Sequence, residues 1–333
     1  MTPPSRVATT RVAAIINGDA GAFSKMSTAE VETAVRTSLA RHGIEAEIEI
    51  THGDMLPQAV ERARARAESG TASAVLIGGG DGSVRIAASV LVGSEVPLGV
   101  LPLGTLNHFA KDLEIPVQIE AAIEIVAARQ IRRVDLAEVN GEIFVNNSSI
   151  GIYPYMVIDR ERRRTQHKLA KWVAVVPAFL RMMRHFPRRR LRIAAEGFER
   201  PYRTPCLCVG NNKDSMELFT ARRRRRLDGG KLWLYVVKPR EPFAFFWMVC
   251  RLCVGRMDQA RDLDRFEVTD AEVTAKTSRL PVALDGDVHI MHTPLHYRSR
   301  PGALAVLTPA GAQANGRSPR AAELRPGQRL PND

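Results

Sequence analysis

Two glycine-rich turns, each entered from an apolar run, constrain this chain more than any other feature. Residues 74–79 (AVLIGG) and 98–102 (LGVLP) are apolar and strand-like, and they run into GGGDGS at residues 78–83 and PLGTLN at residues 102–107. Glycine directly after a buried strand indicates that the backbone bends sharply or approaches another group closely. Because helical patterns follow both turns, the segment predicts strand–turn–helix units of a parallel α/β layer.

Strand-like and helical patterns alternate through the N-terminal part of the chain. Besides the two apolar runs, RVAAIIN at residues 11–17 and EAEIEI at residues 45–50 are strand-like. Ser27 and Glu30 form a capping box that opens the first helix. The predicted helices are 28–42, 56–68, 84–92, 105–113 and 120–129.

The pattern changes near residue 134, after which short strand-like runs separated by turns dominate. Helical material interrupts them at residues 155–186 and 242–262. The C-terminal stretch is rich in Gly, Pro, Arg and Gln and has no periodicity, which is typical of disorder. The predicted organisation is an α/β domain over residues 11–134, a β-rich domain over residues 135–297, and disordered termini over residues 1–10 and 310–333.

The charge of the chain is positive and unevenly placed. The formal net charge is +12, residues 155–192 hold twelve Lys or Arg against two acids, and residues 222–226 are five arginines in a row. Such patches attract nucleic acid or anionic lipid headgroups. The arginine runs lack interleaved aromatic residues, which disfavours nucleic acid.

No apolar stretch reaches the roughly 18 to 20 residues of a membrane span, and no signal-peptide pattern begins the chain, so we expect a cytoplasmic protein.

The cysteines and histidines leave a metal site open as an alternative. The C-x-C at residues 206–208 and the C-x-x-C at residues 250–253 could together hold zinc. Each pair lies in an apolar run rather than in a turn, which favours structural thiols over a metal site or disulfides. The three histidines of residues 289–296 follow a strand and straddle a proline, so they do not share a helical face.

The glycine turns occupy the position where open parallel sheets bind ligands, at the carboxyl ends of strands. Exposed N–H groups at such turns suit phosphate. Asp81 within an anion site suggests a cation as well, and hence a Mg²⁺-nucleotide. The alternative is a pair of tight turns in which Asp81 caps a helix. The sequence has no G-x-x-x-x-G-K-[ST] and the turn does not match G-x-G-x-x-G, which excludes a P-loop and a Rossmann fingerprint.

Taken in order, the motifs resemble the diacylglycerol kinase catalytic domain, a family of lipid kinases that includes the sphingosine and ceramide kinases. The strongest matches are Gly-Gly-Asp-Gly at residues 79–82 and Pro-x-Gly-Thr-x-Asn-x-Phe-Ala at residues 102–110. Further matches extend the likeness over about residues 11–309. They are Asn-Gly-Asp-Ala-Gly at 17–21, Phe-Val-Asn-Asn-Ser-Ser-Ile-Gly at 144–151, Leu-Asp-Gly-Asp at 284–287 and Pro-Gly-Ala-Leu at 301–304.

The resemblance implies a two-domain kinase with ATP and Mg²⁺ in the cleft between an α/β domain and a sandwich-like domain. A final strand near residues 298–309 would return to the first domain. Asp81 would lie near the phosphates and Mg²⁺, and Asp285 would be the general base that takes the proton from the lipid hydroxyl. The residues that would contact the nucleotide are Asn17, Gly79, Gly80, Asp81, Gly82, Ser83, Gly104, Thr105 and Asn107. Without the resemblance, Asp285-Gly286 would be an ordinary hairpin turn, and this alternative stays open.

Several positions depart from the family's pattern. Arg85 and Ile86 stand where the family often has Asn and Glu, so a metal or ribose contact from that Glu has no counterpart here. His108 replaces an Asp that many bacterial members tie to a metal–water network, and a neutral imidazole cannot replace a carboxylate toward Mg²⁺. Asp287 replaces the usual Glu and shortens its reach by one methylene. His108 and Asp287 are therefore secondary candidates of the site.

Residues 160–190 combine apolar and basic side chains at helical steps. This composition is typical of an interfacial helix, and equally of a core-packed helix with a solvated basic face.

We therefore expect an ATP-dependent lipid kinase that docks on an anionic membrane surface, with a homodimer left open and no nucleic acid bound. The alternatives are a soluble-substrate kinase of the NAD kinase type, which shares Gly-Gly-Asp-Gly, and a catalytically silent binder of nucleotide and membrane.

Overall fold

The computed structural model describes residues 10–21, 26–155, 186, 188–212, 227–239, 241–253 and 259–310. These residues divide into two compact units. One unit contains the chain up to Leu136 and the residues from Pro301 onward, and the other is Ala137–Arg300.

The first unit is built on parallel strands in the order β2-β1-β3-β4. Every residue of β3 and β4 is buried, as expected for central strands of a parallel sheet. The predicted capping box of Ser27 and Glu30 is present at the start of α1. The strands are β1 (Thr10–Asn17), β2 (Ile44–Thr51), β3 (Val75–Gly79) and β4 (Leu98–Pro102), and the helices are α1 (Thr28–Arg41), α2 (Leu56–Glu68), α3 (Asp81–Leu91), α4 (His108–Asp112) and α5 (Ile119–Ala128).

The C-terminal end of the described chain completes this sheet. In the last strand, Val306 pairs in parallel with Leu98 of β4. The Gly93 N–H donates to the Ala303 carbonyl at 2.8 Å and the Thr308 N–H donates to the Gln130 carbonyl at 2.9 Å. The first unit therefore takes a strand from a part of the sequence far from its other strands.

The second unit contains two antiparallel sheets. One has six strands in the order β12-β11-β10-β7-β14-β15, and the other contains β16-β13-β8-β9. The strands that follow α5, of which β5 begins and β16 ends in residues of the first unit, are β5 (Ile131–Val139), β6 (Glu142–Phe144), β7 (Asn147–Gly151), β8 (Arg189–Ala195), β9 (Phe198–Thr204), β10 (Cys206–Asn211), β11 (Leu232–Val237), β12 (Leu263–Val268), β13 (Asp270–Ala275), β14 (Arg279–Leu284), β15 (Asp287–His292) and β16 (Leu295–Leu307). Two helices, α6 (Pro242–Cys253) and α7 (Gln259–Asp262), complete the described part.

Apolar side chains of both antiparallel sheets form one core in the second unit. Phe144 and Tyr297 meet edge to face within it, with ring centroids 6.3 Å apart. The Tyr297 hydroxyl shares a 3.0 Å hydrogen bond with the Ser148 hydroxyl, and burial raises the pKa of Tyr297 well above its usual range. Two sheets around a shared core make a sandwich. The predicted fold class, an α/β region followed by a β-rich sandwich-like region, is therefore confirmed.

Two predicted helices differ from the observed ones. The helix expected over residues 105–113 begins only at His108, because Asn107 adopts the left-handed conformation (φ 51°). The helix expected over residues 84–92 begins earlier, at Asp81. Of the helical segment predicted at residues 155–186, residues 156–185 lie outside the described residues. Among the helices that the structure describes, none has both the length and the hydropathy needed to cross a bilayer.

Candidate functional site

Three turns meet at the carboxyl ends of strands in the first unit. They are residues 17–21 after β1, residues 78–83 after β3 and residues 102–107 after β4. A Cβ placed on Gly104 would overlap the Cα of Gly80 and lie 2.7 Å from Asn107 Oδ1. A Cβ on Gly21 would lie 2.9 Å from Thr105 Oγ1. Because the backbones of these turns touch, glycine is needed where they cross.

Asn17 joins the first turn to the glycine turn after β3. Its Nδ2 donates to Ser83 Oγ at 2.9 Å, and its Oδ1 accepts from the Asp19 N–H at 3.0 Å. Ser83 is buried, and a Cβ on Gly79 would overlap its hydroxyl. Asn17 and Ser83, both predicted to contact a nucleotide, therefore hold two of the turns together in this structure.

Helix α3 begins at the glycine turn without a side-chain cap. Its N-cap residue, Gly80, has extended backbone (φ −92°, ψ −170°), and the first helical bond runs from the Val84 N–H to the Gly80 carbonyl at 3.0 Å. The N–H groups of a first helical turn have no partner within the helix, and the helix dipole adds positive potential there. With glycine at residues 80 and 82, no Cβ of these residues shields these groups, so the turn can accept a phosphate.

Asp81 lies at the first turn of α3, but its carboxylate reaches α4. Oδ2 accepts from the His108 N–H at 3.1 Å and Oδ1 accepts from the Phe109 N–H at 3.0 Å. The side chain thus caps the start of α4. The sequence left open that Asp81 caps a helix, and the helix that it caps is the neighbouring α4 rather than its own. Each oxygen keeps a second lone pair with which it could bind a ligand.

The residues around Asp81 fit Mg²⁺ only together with a nucleotide. Within the described ranges, no three His, Cys, Asp or Glu side chains are arranged to hold a metal ion. Mg²⁺ commonly binds one or two carboxylates together with substrate phosphates and water. Asp81 beside a phosphate-accepting turn matches that second type of site.

Asn107 is buried and stabilises its own turn. Its Oδ1 accepts from the Gly104 N–H at 3.0 Å, and its Nδ2 donates to the carbonyls of Gly104 at 2.8 Å and Pro102 at 3.3 Å. Asparagine tolerates the left-handed backbone that this position requires. The turn around Gly104 is therefore fixed from within before any ligand binds.

Asp285 occupies the turn between β14 and β15 in the second unit. Asp285 and Gly286 both have positive φ (48° and 103°), and Leu284 pairs with Asp287 across the hairpin. This backbone is the one that the hairpin alternative describes. The predicted role of Asp285 as a general base stays a prediction.

Three backbone N–H groups donate to the Asp285 carboxylate. The Val145 N–H donates to Oδ2 at 2.7 Å, and the N–H groups of Asn146 and Asn147 donate to Oδ1 at 2.7 and 3.0 Å. Charge-assisted bonds of this kind stabilise the ionised carboxylate and fix its orientation. Asp285 therefore ties the β14–β15 hairpin to the turn that precedes β7.

Sequence reasoning missed two asparagines beside that turn. Asn211 donates from Nδ2 to the Val145 carbonyl at 2.9 Å, and the Asn212 side chain accepts from the Gly229 N–H at 2.9 Å. Both residues are buried, and Asn212 has a positive φ (72°). Consecutive asparagines at the end of an apolar strand-like run were the available signal.

A second missed feature is the contact between Asp19 and the loop after β2. Asp19 Oδ1 lies 3.0 Å from His52 Nδ1, and Oδ2 accepts from the Gly53 N–H at 3.1 Å. The hydrogen bond with His52, followed by that from Gly53, lowers the pKa of Asp19. This contact ties the first turn to the loop after β2.

The other residues singled out in the sequence are His108, Asp287, the cysteines and the basic segments. His108 and Asp287 begin α4 and β15, and both are on the described chain. Cys206, Cys208 and Cys250 are free thiols; a 3.6 Å contact with Cys208, followed by burial, raises the pKa of Cys206. Most of the basic segment 160–190 and all of residues 222–226 lie outside the described residues.

Comparison with known proteins finds a family match for the N-terminal part of the chain. Residues 11–139 match the family model of the diacylglycerol kinase catalytic domain. Proteins named "Probable lipid kinase YegS-like" from Yersinia pestis (strain Pestoides F) and Yersinia pseudotuberculosis serotype O:1b (strain IP 31758) are 38% identical over 128 residues, which is 37% of this chain and 41% of each relative. The matched segment thus spans about two fifths of the length of those relatives. The resemblance drawn from the sequence is confirmed over this segment.

The fold extends beyond the matched segment. A crystal structure of a diacylglycerol kinase from Bacillus anthracis str. Sterne superposes with a TM-score of 0.66, covering 91% of this chain and 98% of that chain at 19% sequence identity. At this identity the similarity shows the fold alone.

Proposed function

We propose that this protein transfers the γ-phosphoryl group of ATP to a hydroxyl of a lipid, because residues 11–139 match the family model of the diacylglycerol kinase catalytic domain. Diacylglycerol or a related amphiphile is the acceptor class that the family match favours. The observation that supports phosphoryl transfer most directly is the crossing of Gly80 and Gly104 beside the uncapped start of α3. That arrangement supplies N–H donors where phosphate oxygens can approach the backbone.

In this proposal, the first unit binds the nucleotide. The N–H groups of the first turn of α3 bind phosphate oxygens, and Asn17, Thr105 and Asn107 keep the surrounding turns in place. Asp81 would hold a Mg²⁺ ion bound to the triphosphate, and that ion would supply charge neutralisation on the transferred group. The acceptor hydroxyl needs a carboxylate within hydrogen-bond reach, and Asp285 and Asp287 of the β14–β15 turn are the candidates.

The contacts of the two assigned carboxylates favour a second candidate function. Asp81 and Asp285 both receive backbone N–H bonds in this structure, and His108 stands in place of the family's Asp. A protein that binds nucleotide without transferring phosphate would keep these contacts. We therefore retain a catalytically silent nucleotide binder as the second candidate.

A transfer assay separates the candidates. The full chain is incubated with γ-labelled ATP, Mg²⁺ and detergent micelles that contain diacylglycerol or other hydroxyl-bearing lipids, with NAD as a soluble acceptor. Label in a lipid supports the proposal, and label in NAD alone supports the soluble-substrate alternative. Saturable nucleotide binding without label in any acceptor supports the silent binder.

Matched variants assign the two carboxylates. Asp287→Asn removes charge from an exposed side chain, whereas Asp285→Asn also disturbs three backbone contacts. If Asp285 is the base, Asp285→Asn lowers kcat by about 100-fold or more with an unchanged nucleotide Kd, whereas Asp287→Asn leaves most activity. The reverse result would assign the base to Asp287.

A further inference from the structure

Helix α6 carries exposed aromatic side chains that no residue in the described part of the chain covers. Its sequence, PFAFFWMVCRLC, contains a single charged residue, Arg251. Phe243 is 73% exposed and Trp247 is 56% exposed. They lie four residues apart and therefore on one face of the helix. A helix that is apolar all round is normally buried, so an exposed aromatic face needs an apolar partner.

The opposite face of α6 is already packed. Phe245 and Met248 are buried in a cluster that includes Trp233 and Tyr235 of β11. The ring of Phe245 lies 5.4 Å from that of Phe186, measured between centroids. The exposed aromatic face is therefore separate from the core of the second unit.

Ion pairs fix the helix at both ends. Arg188 Nη2 lies 3.3 Å from Glu241 Oε2 just before the helix, and Arg251 Nη2 lies 2.7 Å from Asp262 Oδ2 near its end. Asp262 is buried, so solvent ions screen the second pair only weakly. Because α6 is held in this way, Phe243 and Trp247 point to solvent as a consequence of the fold.

Basic residues lie near the N-terminal end of α6. The contact between Phe186 and Phe245, together with the Arg188–Glu241 pair, brings the run Arg188–Arg190 next to the start of α6. Arg188 and Arg190 are exposed, and the Arg189 guanidinium lies 5.3 Å from the ring centroid of Tyr155. Exposed aromatics with arginines near the same end of the helix match the interfacial region of an anionic bilayer, where aromatic rings enter the headgroup layer and cations bind lipid phosphates.

We propose that α6 is a membrane-docking element that inserts Phe243 and Trp247 into the interface of an anionic lipid bilayer. A helix of 12 residues is about 18 Å long and cannot span the roughly 30 Å hydrocarbon core, so it lies along the surface. The inference rests on the proposed function only for its choice of a lipid partner. It assigns the docking to α6, in addition to the basic segment expected from the sequence.

Vesicle binding of the full chain tests this inference without ATP. Co-sedimentation is measured with phosphatidylcholine vesicles, with and without phosphatidylglycerol, for the wild type and the double variant Phe243→Ser/Trp247→Ser. We expect the partition coefficient on anionic vesicles to fall at least about tenfold in the double variant. Ile290→Ser is the matched control, because Ile290 is 62% exposed in the same unit, and it should bind as the wild type does.

A second measurement tests insertion directly. In a Trp172→Phe background, brominated acyl chains should quench tryptophan fluorescence, and the further change Trp247→Phe should abolish that quenching, because Trp233 is buried. Persistence of the quenching after Trp247→Phe, or equal vesicle binding of wild type and double variant, would overturn the proposal. Equal binding to vesicles with and without phosphatidylglycerol would also overturn the proposal that the bilayer is anionic.

Light scattering without lipid tests a competing occupant. A wild-type dimer that becomes monomeric in the double variant would show that a second copy covers this face, which would overturn the proposal. An unchanged mass supports it. If the kinase assay shows no transfer, the vesicle-binding results still hold. If α6 does not dock, phosphoryl transfer to a short-chain, water-soluble acceptor is still expected. The two proposals therefore fail separately.

Discussion

At the residue scale, close backbone contacts decide which substitutions the candidate site tolerates. Gly104 has no room for a side chain, because its Cα faces the Cα of Gly80 and the Asn107 amide. Neither neighbour is the flexible end of a long side chain. The backbone itself would have to move.

We expect Gly104→Ala to destabilise the protein by about 1–3 kcal/mol and to weaken nucleotide binding, because the added methyl overlaps Gly80. Urea unfolding and ATP titration measure the two effects. Gly53→Ala is the control: a Cβ there meets its nearest atom at 3.8 Å, so its stability should change by less than about 0.5 kcal/mol. Equal effects of the two substitutions would contradict the close approach.

Asn107→Asp tests the amide of the second turn. The substitution keeps the shape but places a carboxylate oxygen against the carbonyls of Gly104 and Pro102, which now accept from Nδ2. We expect a loss of about 1–3 kcal/mol in the free energy of unfolding. Asn17→Asp should cost less, since Asn17 is only part-buried. Asn107→Asp with wild-type stability would show that the turn does not depend on this amide.

At the element scale, glycines and apolar runs revealed the turns but not their partners. The sequence places a turn after β3 and another after β4, because glycine follows a buried strand in both cases. It could not show that Asp81 accepts from His108 and Phe109, because that contact depends on strands β3 and β4 lying side by side. The contact between Asp285 and residues 145–147 depends likewise on the pairing of β14 with β7.

The contact between the first turn and the loop after β2 should make stability depend on pH. Hydrogen bonds from His52 and Gly53 lower the pKa of Asp19 below its usual value of 3.8. A carboxyl with a lowered folded pKa adds stability above its unfolded pKa, and this contribution disappears as the pH falls through the folded pKa.

We therefore expect the wild type to be more stable than Asp19→Asn near pH 5, and the difference to shrink as the pH falls below 3.8. Urea unfolding across this range measures the difference. Glu142→Gln, at an exposed acid outside the three turns, should show no comparable change. A difference between wild type and Asp19→Asn that grows toward low pH would contradict the expected direction.

At the scale of the whole molecule, the first unit is assembled from distant parts of the sequence. The match to the catalytic domain ends at residue 139, but Leu304, Ala305, Val306 and Leu307 are buried and belong to the first unit. Burying one Val or Leu side chain contributes about 1.5–3 kcal/mol. Several such side chains together approach the roughly 5–15 kcal/mol that stabilises a typical domain.

A fragment of residues 1–139 should therefore lack a cooperative unfolding transition. Joining residues 10–136 to residues 301–310 through a flexible Gly/Ser linker should restore one, because the linker returns the missing partner of β4. Circular dichroism during heating distinguishes the two polypeptides. Cooperative melting of the shorter fragment would show that the last strand is dispensable.

The late position of this last strand also bears on how the protein is synthesised. About 200 residues separate β4 from its partner in β16, and ribosomes add roughly 5–20 residues per second. For roughly 10–40 seconds after β4 has left the ribosome tunnel, one of its edges stays unpaired and hydrophobic. The nascent chain therefore offers a binding surface to chaperones until the last strand has left the ribosome, and only then is the sheet of the first unit complete.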